Sequence, residues 1–167
     1  MMDDTHDFKR LQALSRIFSY PEQWPAQHDL DCICPAGRQR PGLLSQNDLT
    51  ALQAAYVRLF VNALPEIACP PYGSFYLEGT LMGESTVRLN QLYNEYGFQT
   101  NELADHIAVE LEFFALLTTL TSHAQVQPDY EFLRDHLRRW TAPFFDRVQK
   151  NDDTGFYAAA AMFAGAF

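Results

Sequence analysis

The strongest structural signal in the chain lies in residues 102–114, which read Glu-Leu-Ala-Asp-His-Ile-Ala-Val-Glu-Leu-Glu-Phe-Phe. Read as a helix, it places side chains four residues apart on one face, which puts a titratable stripe at the start of the helix. The stripe consists of Glu102, His106 and Glu110, with Asp105 beside the histidine in the first turn. Residues 111–120 are apolar on almost all sides, the pattern of a helix buried within a bundle. We therefore predict a core helix whose first turns carry either a structural network or a binding site.

Helical signals also fill the first part of the chain. Apolar residues at three- and four-residue spacing over 8–18 predict a first helix that the following proline ends. Residues 22–44 are rich in proline and glycine, which predicts a long connection with a short helix at about 24–30. Ser45, followed by Asp48 as its capping-box carboxylate, predicts the N-terminus of the next helix.

The second half of the chain carries the same signals. Residues 84–96 predict a helix that a glycine ends, and Asn101 is expected to cap the core helix. Pro128 and Pro143 predict the first turns of two successive helices, after which a last apolar helix follows. No alternating strand pattern and no internal repeat is present. The sequence therefore predicts an all-α, single-domain helical bundle over residues 1–167.

Composition narrows the classes of partner. The 167 residues carry a net charge of -9 and only 12 lysines and arginines, which disfavours a nucleic-acid partner and makes a basic peptide electrostatically easier. No apolar run approaches the roughly 20 residues of a membrane span. The first residues are acidic and lack the basic and apolar regions of a secretory signal. We therefore expect a cytoplasmic protein without a membrane span.

Motifs for catalysis and metal binding are weak. The chain has no His-Glu-x-x-His, nucleophile elbow or P-loop, so we predict a protein that is not an enzyme and has no cofactor. Cys32, Cys34 and Cys69 fit reduced thiols better than a disulfide framework, and their spacing is poor for zinc. Two alternatives stay open: a metal-binding or enzymatic helical protein that uses His106 with Glu102 and Glu110, and a structural bundle with no peptide client. No glycine-rich phosphate cradle is visible, and nucleotide binding stays open.

A second informative segment precedes the core helix. Residues 69–77 read Cys-Pro-Pro-Tyr-Gly-Ser-Phe-Tyr-Leu. Two prolines hold the backbone extended, and Ser74 is placed to cap a short helix at 75–82. The segment is expected to form a rigid, aromatic loop that can make hydrogen bonds.

Two motifs together carry a resemblance to a known family. Pro-Tyr-Gly-Ser-Phe-Tyr at 71–76, followed by Asp-His-Ile-Ala-Val-Glu-Leu at 105–111, resembles the TorD/DmsD/NarJ family of redox enzyme maturation chaperones. The resemblance covers the chain from about residue 48 to its end. It implies a helical chaperone that binds the twin-arginine signal peptide and the apo form of a molybdopterin oxidoreductase. Such a chaperone assists insertion of the pterin cofactor and prevents premature export.

The same resemblance suggests which residues bind the signal peptide. They are Pro71, Tyr72, Ser74, Tyr76, Glu102, Asp105, His106 and Glu110. We expect the acidic members to meet the two arginines and the tyrosines to contact the apolar part of the peptide. His136 and Trp140 lie one turn apart and are predicted to pack in the core. A homodimer is also possible from the sequence.

Overall fold

The computed structural model describes residues 4–33, 47–62 and 65–165. Its helices are, in chain order, α1 Asp4–Phe18, α2 Gln27–Ile33, α3 Leu49–Tyr56, α4 Gly73–Glu78, α5 Glu84–Glu95, α6 Ile107–Leu120, α7 Gln127–Asn151 and α8 Phe156–Ala164. A π-helical turn, Val57–Val61, continues α3. Within the described ranges there is no β-strand, and the predicted all-α bundle is confirmed.

The central helix is α6, as the apolar pattern of residues 111–120 predicts. Ile107, Leu111 and Leu117 have no exposed surface, and α1 packs along α6 over most of its length. The Ser15 hydroxyl donates to the carbonyl of Ala108 at 2.7 Å and fixes the two helices in register. Each large apolar side chain buried in this way stabilises the fold by roughly 1.5–3 kcal/mol.

An aromatic cluster joins α3, α7 and α8 to α1. The Phe18 ring at the end of α1 lies 5.7 Å from the ring of Phe144 in α7. Tyr56 and Phe60 contact each other edge-on at 5.0 Å, and Phe60 contacts Tyr157 of α8 at 5.1 Å. The cluster therefore ties α1, α3, α7 and α8 together at one end of α6.

Helix α7 corrects one prediction. It runs unbroken through Pro143, whereas the sequence predicted a new helix at that residue. Pro143 has no amide N–H to donate to the carbonyl of Arg139, and both residues are exposed. Trp140 and Phe144 are both fully buried and anchor the helix on either side of the proline. Tertiary packing therefore outweighs the local cost of the proline, while Pro128 in the first turn is as predicted.

Helix boundaries are otherwise close to those predicted. The short helix expected at 24–30 is α2, which begins and ends three residues later. Asp48 itself is the N-cap of α3 and accepts a hydrogen bond from the amide of Ala51 at 3.0 Å. Ser45, Cys34 and the rest of 34–46 lie outside the described residues. None of the described helices is long and apolar enough to cross a lipid bilayer.

Candidate functional site

The two motif segments, far apart in sequence, pair with each other in the fold. Tyr72 and His106 form an isolated antiparallel bridge. The amide of Gly73 donates to the Asp105 carbonyl at 2.9 Å, and the amide of Ile107 donates to the Pro71 carbonyl at 2.8 Å. The pairing therefore places both motifs at the N-terminal end of α6.

Asp105 is the polar centre of this pairing. Its side chain is completely buried, and its Oδ2 accepts a hydrogen bond from the amide of Ser74 at 2.9 Å. A carboxylate at a helix N-terminus satisfies an otherwise unpaired donor and complements the helix dipole. Asp105 therefore caps α4, which runs from Gly73 to Glu78.

Two local predictions about this helix are therefore wrong. The short helix was expected at 75–82 with Ser74 as its cap, but Ser74 lies inside the helix. Its hydroxyl is buried and makes no hydrogen bond to any described residue. The cap comes instead from a carboxylate 31 residues along the chain, which local sequence spacing does not reveal.

His106 is the N-cap of α6, which corrects the predicted helical stripe. Its backbone is extended, with φ -70° and ψ 135°, and its Nδ1 accepts from the amide of Ala108 at 3.2 Å. Because pairing with residues 71–73 holds this part of the chain extended, Glu102 and Asp105 precede the helix. Asn101 is therefore not the cap, and Glu102, His106 and Glu110 do not share a helical face.

The imidazole of His106 is neutral at pH 7. Burial lowers its pKa to about 4, although the nearby carboxylates of Glu102 and Asp105 act in the opposite direction. Since Nδ1 accepts a hydrogen bond, the single proton resides on Nε2. The Tyr72 ring packs edge-on against this imidazole, with 5.3 Å between the ring centroids.

Glu110 faces the opposite direction, into the interface between α6 and α7. It is completely buried, with its Oε1 3.2 Å from Nε2 of His136 and its Oε2 3.5 Å from the indole nitrogen of Trp140. Burial raises the pKa of Glu110, and His136 opposes the shift. Predicted burial of His136 and Trp140 is confirmed, but the sequence did not indicate that Glu110 is their partner.

Gly73 lies where this buried network meets α4. A Cβ atom at this position would stand 3.1 Å from Oε1 of Glu110 and 3.1 Å from the indole nitrogen of Trp140. Nearly all real Cβ contacts are longer, so a side chain here would have to displace the network. The need for glycine at position 73 therefore comes from the close approach of Glu110 and Trp140 to its Cα, and not from an unusual backbone angle.

Tyr72 and Tyr76 have different surroundings. The Tyr76 ring stacks on Trp140 with 5.7 Å between centroids, and its hydroxyl oxygen is buried. Tyr72 is half-buried, and its hydroxyl lies 3.5 Å from Oε1 of Glu102. Burial, together with the charge of Glu102, raises the pKa of Tyr72 to about 12. Tyr72 therefore stays protonated beside Glu102, whereas Tyr76 is partly buried and packs against the core.

A cavity of about 290 Å³, here called the acidic groove, opens beside the paired segments. Its side chains include two exposed carboxylates, Glu102 and Glu112, and the edge-on pair Tyr20 and Tyr56, whose rings are 5.5 Å apart. Among the described residues, it is lined by Ser19, Tyr20, Tyr56, Thr100, Asn101, Glu102, His106, Ala108, Val109 and Glu112, none of them a lysine or arginine. The groove is therefore suited to a cationic ligand with an apolar stem.

Three of these lining residues were missed by sequence reasoning. Tyr20 follows the end of α1 and Tyr56 ends α3, so only the tertiary fold brings them to the groove. A signal for Glu112 was present, because it is the single charged residue within the apolar stretch 111–120. A charge retained in an otherwise buried helix marks the turn at which that helix reaches the surface.

The eight predicted binding residues divide into two sets. Glu102 and His106 line the acidic groove, and Tyr72 contacts both of them. The remaining five do not line the groove: Pro71, Ser74, Asp105 and Glu110 are buried, and Tyr76 is partly buried and stacks on Trp140. Peptide binding by any of the eight stays a prediction.

The metal alternative gains no support. In residues 4–33, 47–62 and 65–165, no group of three or more His, Cys, Asp or Glu side chains is arranged to bind a metal ion. His106 and Glu110 point to different sides of the start of α6. Cys69 is buried, which raises the pKa of its thiol to about 11 and keeps it protonated. Cys34 lies outside the described residues.

Comparison with known proteins gives a consistent result. The family model described as nitrate reductase delta subunit matches residues 36–146. The chaperone protein TorD of Shewanella piezotolerans is 34% identical over 94% of this chain and 76% of its own length. The Tat proofreading chaperone DmsD of Salmonella typhimurium is 31% identical over 85% of this chain and 68% of its own length. For the TorD of Photobacterium profundum, at 33% identity, the matched region spans 60% of that protein's length.

A solved structure supports the same relationship. A putative redox enzyme maturation protein from Archaeoglobus fulgidus superposes with a TM-score of 0.65. It is 31% identical and the match covers 93% of this chain and 90% of that one. The likeness therefore extends over nearly the whole helical arrangement described above.

Proposed function

Because the chain belongs to the TorD/DmsD/NarJ family of redox enzyme maturation chaperones, we propose that it is a cytoplasmic, system-specific chaperone of a molybdopterin oxidoreductase. In this role it binds the twin-arginine signal peptide and the apo form of the enzyme. It thereby assists cofactor insertion and prevents premature export. The chain itself acts without catalysis and without a cofactor of its own.

The acidic groove is the observation that carries this proposal. Glu102 and Glu112 present two exposed carboxylates beside aromatic rings, and a guanidinium binds such groups through its planar donor fork and its face. His106 favours the same ligand, because its neutral imidazole adds no positive charge that would repel an arginine. The groove therefore combines the charge and the apolar surface that an arginine side chain requires.

Asp105 and Glu110 have a supporting role in this proposal. Both are completely buried and hold internal partners, which are the amide of Ser74 for Asp105 and His136 for Glu110. Moving either carboxylate to a ligand would leave a buried donor without its acceptor, at a cost of about 1–3 kcal/mol. We therefore assign arginine contact to Glu102 and Glu112, and positioning of the groove to the buried pair.

Calorimetry with a synthetic leader tests the proposal. The leader is taken from a molybdoenzyme encoded beside this chain, and a Kd on the order of micromolar, about -8 kcal/mol, is expected. Replacing Arg-Arg by Lys-Lys weakens binding, because lysine lacks the bidentate fork. Raising the salt concentration weakens it too, since exposed charges are screened over about 8 Å at physiological ionic strength.

Matched variants locate the contact. The double variant Glu102→Gln, Glu112→Gln is expected to bind the leader about tenfold more weakly, a change of about 1.4 kcal/mol. The control double variant Glu66→Gln, Glu95→Gln makes the same chemical change at two exposed residues that do not line the groove, and it leaves the Kd unchanged. Absence of heat and of competition with every leader tested, for a folded sample, contradicts the chaperone proposal.

A further inference from the structure

A larger cavity, of about 780 Å³, lies around Trp24, between the end of α1 and helices α2, α3 and α8. We call it the Trp24 cavity. Its floor is made of core side chains, because Ile17, Leu52 and Phe156 line it although they are 2%, 0% and 0% exposed. Trp24 is partly buried and packs edge-on against Phe156, with 6.0 Å between the ring centroids. The cavity therefore reaches the apolar core of the protein.

The wall of the Trp24 cavity is held in one conformation by prolines. Pro21 and Pro25 flank Trp24 in the lining, and each fixes its own backbone φ near -65°. Gln53 adds a tertiary restraint, because its side-chain amide donates to the carbonyl of Pro21 at 2.9 Å. The apolar floor of this cavity is therefore preformed, and it binds an apolar side chain without a large ordering cost.

Two residues connect this cavity with the acidic groove. Ser19 and Tyr20 line both, so the two spaces lie on either side of the chain segment that follows α1. Tyr20 is 49% exposed and packs edge-on against Tyr56, which places an aromatic surface between them. A single extended peptide can therefore pass from one space to the other across Tyr20.

The charges of the two spaces differ in a way that orients such a peptide. Arg16 lines the Trp24 cavity and holds Asp29 through two hydrogen bonds, of 2.9 and 2.5 Å. Asp29 is therefore already paired. The exposed Glu22 also lines this cavity, and the guanidinium of Arg16 lowers the attraction of the two carboxylates for a second arginine. In the acidic groove, Glu102 and Glu112 attract one. No lysine or arginine is among the described lining residues of the acidic groove, so the arginines of such a peptide favour the groove over the Trp24 cavity.

We propose that the Trp24 cavity binds the apolar segment that follows the two arginines of the leader, while the acidic groove binds the arginines. The inference rests on the proposed function. It places the apolar segment away from Tyr76, which is stacked on Trp140. The leader then lies across Tyr20, with its arginines beside the start of α6 and its apolar segment between α1, α3 and α8.

Tryptophan fluorescence tests this placement. The chain has two tryptophans, and Trp140 is completely buried, so a ligand in the cavity changes the emission of Trp24. A leader without tryptophan is expected to shift the emission to shorter wavelength on binding. The shift disappears in Trp24→Phe. A peptide that keeps both arginines but lacks the apolar segment binds more weakly and leaves the emission unchanged.

Affinity and crosslinking give independent readouts. Trp24→Ala is expected to weaken binding of the full leader about tenfold, whereas Met162→Ala, an exposed apolar residue outside the cavity, leaves the Kd unchanged. A photoreactive residue in the apolar segment of the leader crosslinks to residues 17–26. The same group beside the arginines crosslinks to residues 100–112.

The outcomes separate this inference from the proposed function. If calorimetry detects leader binding while the emission of Trp24 stays constant and Trp24→Ala keeps its affinity, the cavity assignment is overturned and the chaperone proposal stands. Crosslinks from the apolar segment to residues 70–77 overturn it in the same way. If no leader binds to the folded protein, the proposed function fails and this inference fails with it.

Discussion

Glu110 and Glu112 stand two residues apart on one helix and have opposite surroundings. Glu110 is completely buried against His136 and Trp140, whereas Glu112 is exposed in the acidic groove. Residues two apart on a helix point in different directions, so neighbouring carboxylates of the same motif serve different purposes. The buried one fixes how α6 meets α7, and the exposed one is free to meet a ligand.

The same division runs through the whole site. Asp105 joins Glu110 as a buried carboxylate with an internal partner, and Glu102 joins Glu112 as an exposed carboxylate of the groove. His106 lies between the two sets, buried yet lining the groove. The comparison predicts that changes in the buried set alter stability, and that changes in the exposed set alter binding.

The largest expected effect is the loss of Glu110. Glu110→Ala removes the partner of a buried histidine and of a buried indole, and each buried group left without its partner costs about 1–3 kcal/mol of unfolding free energy, in addition to the cavity left by the shorter side chain. Glu112→Ala changes an exposed side chain and stays within about 0.5 kcal/mol of the parent. Chemical denaturation of both variants with circular dichroism measures the difference. Equal stability of the two variants removes the distinction between buried and exposed carboxylates.

An effect of intermediate size concerns the protonation of His106. The folded protein holds this histidine with a pKa of about 4, while the unfolded chain titrates near 6.5. The unfolded state therefore binds the extra proton first, and stability is lost as the pH falls from about 6.5 to 4. Over that interval the loss reaches on the order of 3 kcal/mol.

Comparison with a variant that does not titrate isolates this contribution. Asparagine can cap a helix but carries no proton in this range, so His106→Asn is expected to lose less stability between pH 7 and pH 4. The raised pKa of Glu110 acts in the opposite direction and is common to both proteins. Unfolding curves at pH 7, 5.5 and 4.5 give the slope of the unfolding free energy against pH for each of the two proteins. The same slope in both proteins contradicts a neutral, buried His106.

The smallest expected changes in unfolding free energy are those at the two candidate caps of α4, Asp105 and Ser74. Asp105→Ala removes a charged acceptor from the amide of Ser74 and is expected to cost about 1.5–3 kcal/mol. Ser74→Ala removes a buried hydroxyl that bonds to no described residue, so its effect stays below about 0.5 kcal/mol. Thermal and chemical unfolding of the two single variants provide the values. A larger loss for Ser74→Ala would restore the local cap that the sequence predicts.

Local sequence determined the class of fold and the position of its core. The apolar run 111–120 predicted the central helix, and proline and glycine signals placed most helix boundaries within a few residues of those observed. These features depend on neighbours within one or two turns, so periodicity and punctuation are sufficient to reveal them. The two motifs also predicted the family, which the comparisons confirm.

Tertiary structure alone decided the details of the site. Pairing of residues 71–73 with 105–107 holds His106 extended, and it therefore replaces the predicted helical stripe by a cap and a loop. The partner of Glu110 comes from α7, and the aromatic wall of the groove comes from Tyr20 and Tyr56. Hydrogen bonds and packing between segments far apart in sequence outweigh local helical propensity of a fraction of a kcal/mol per residue. The burial of Asp105 and Glu110 is set by those long-range contacts, and no spacing within 102–114 predicts it, although the lone charge in 111–120 does mark Glu112 as exposed.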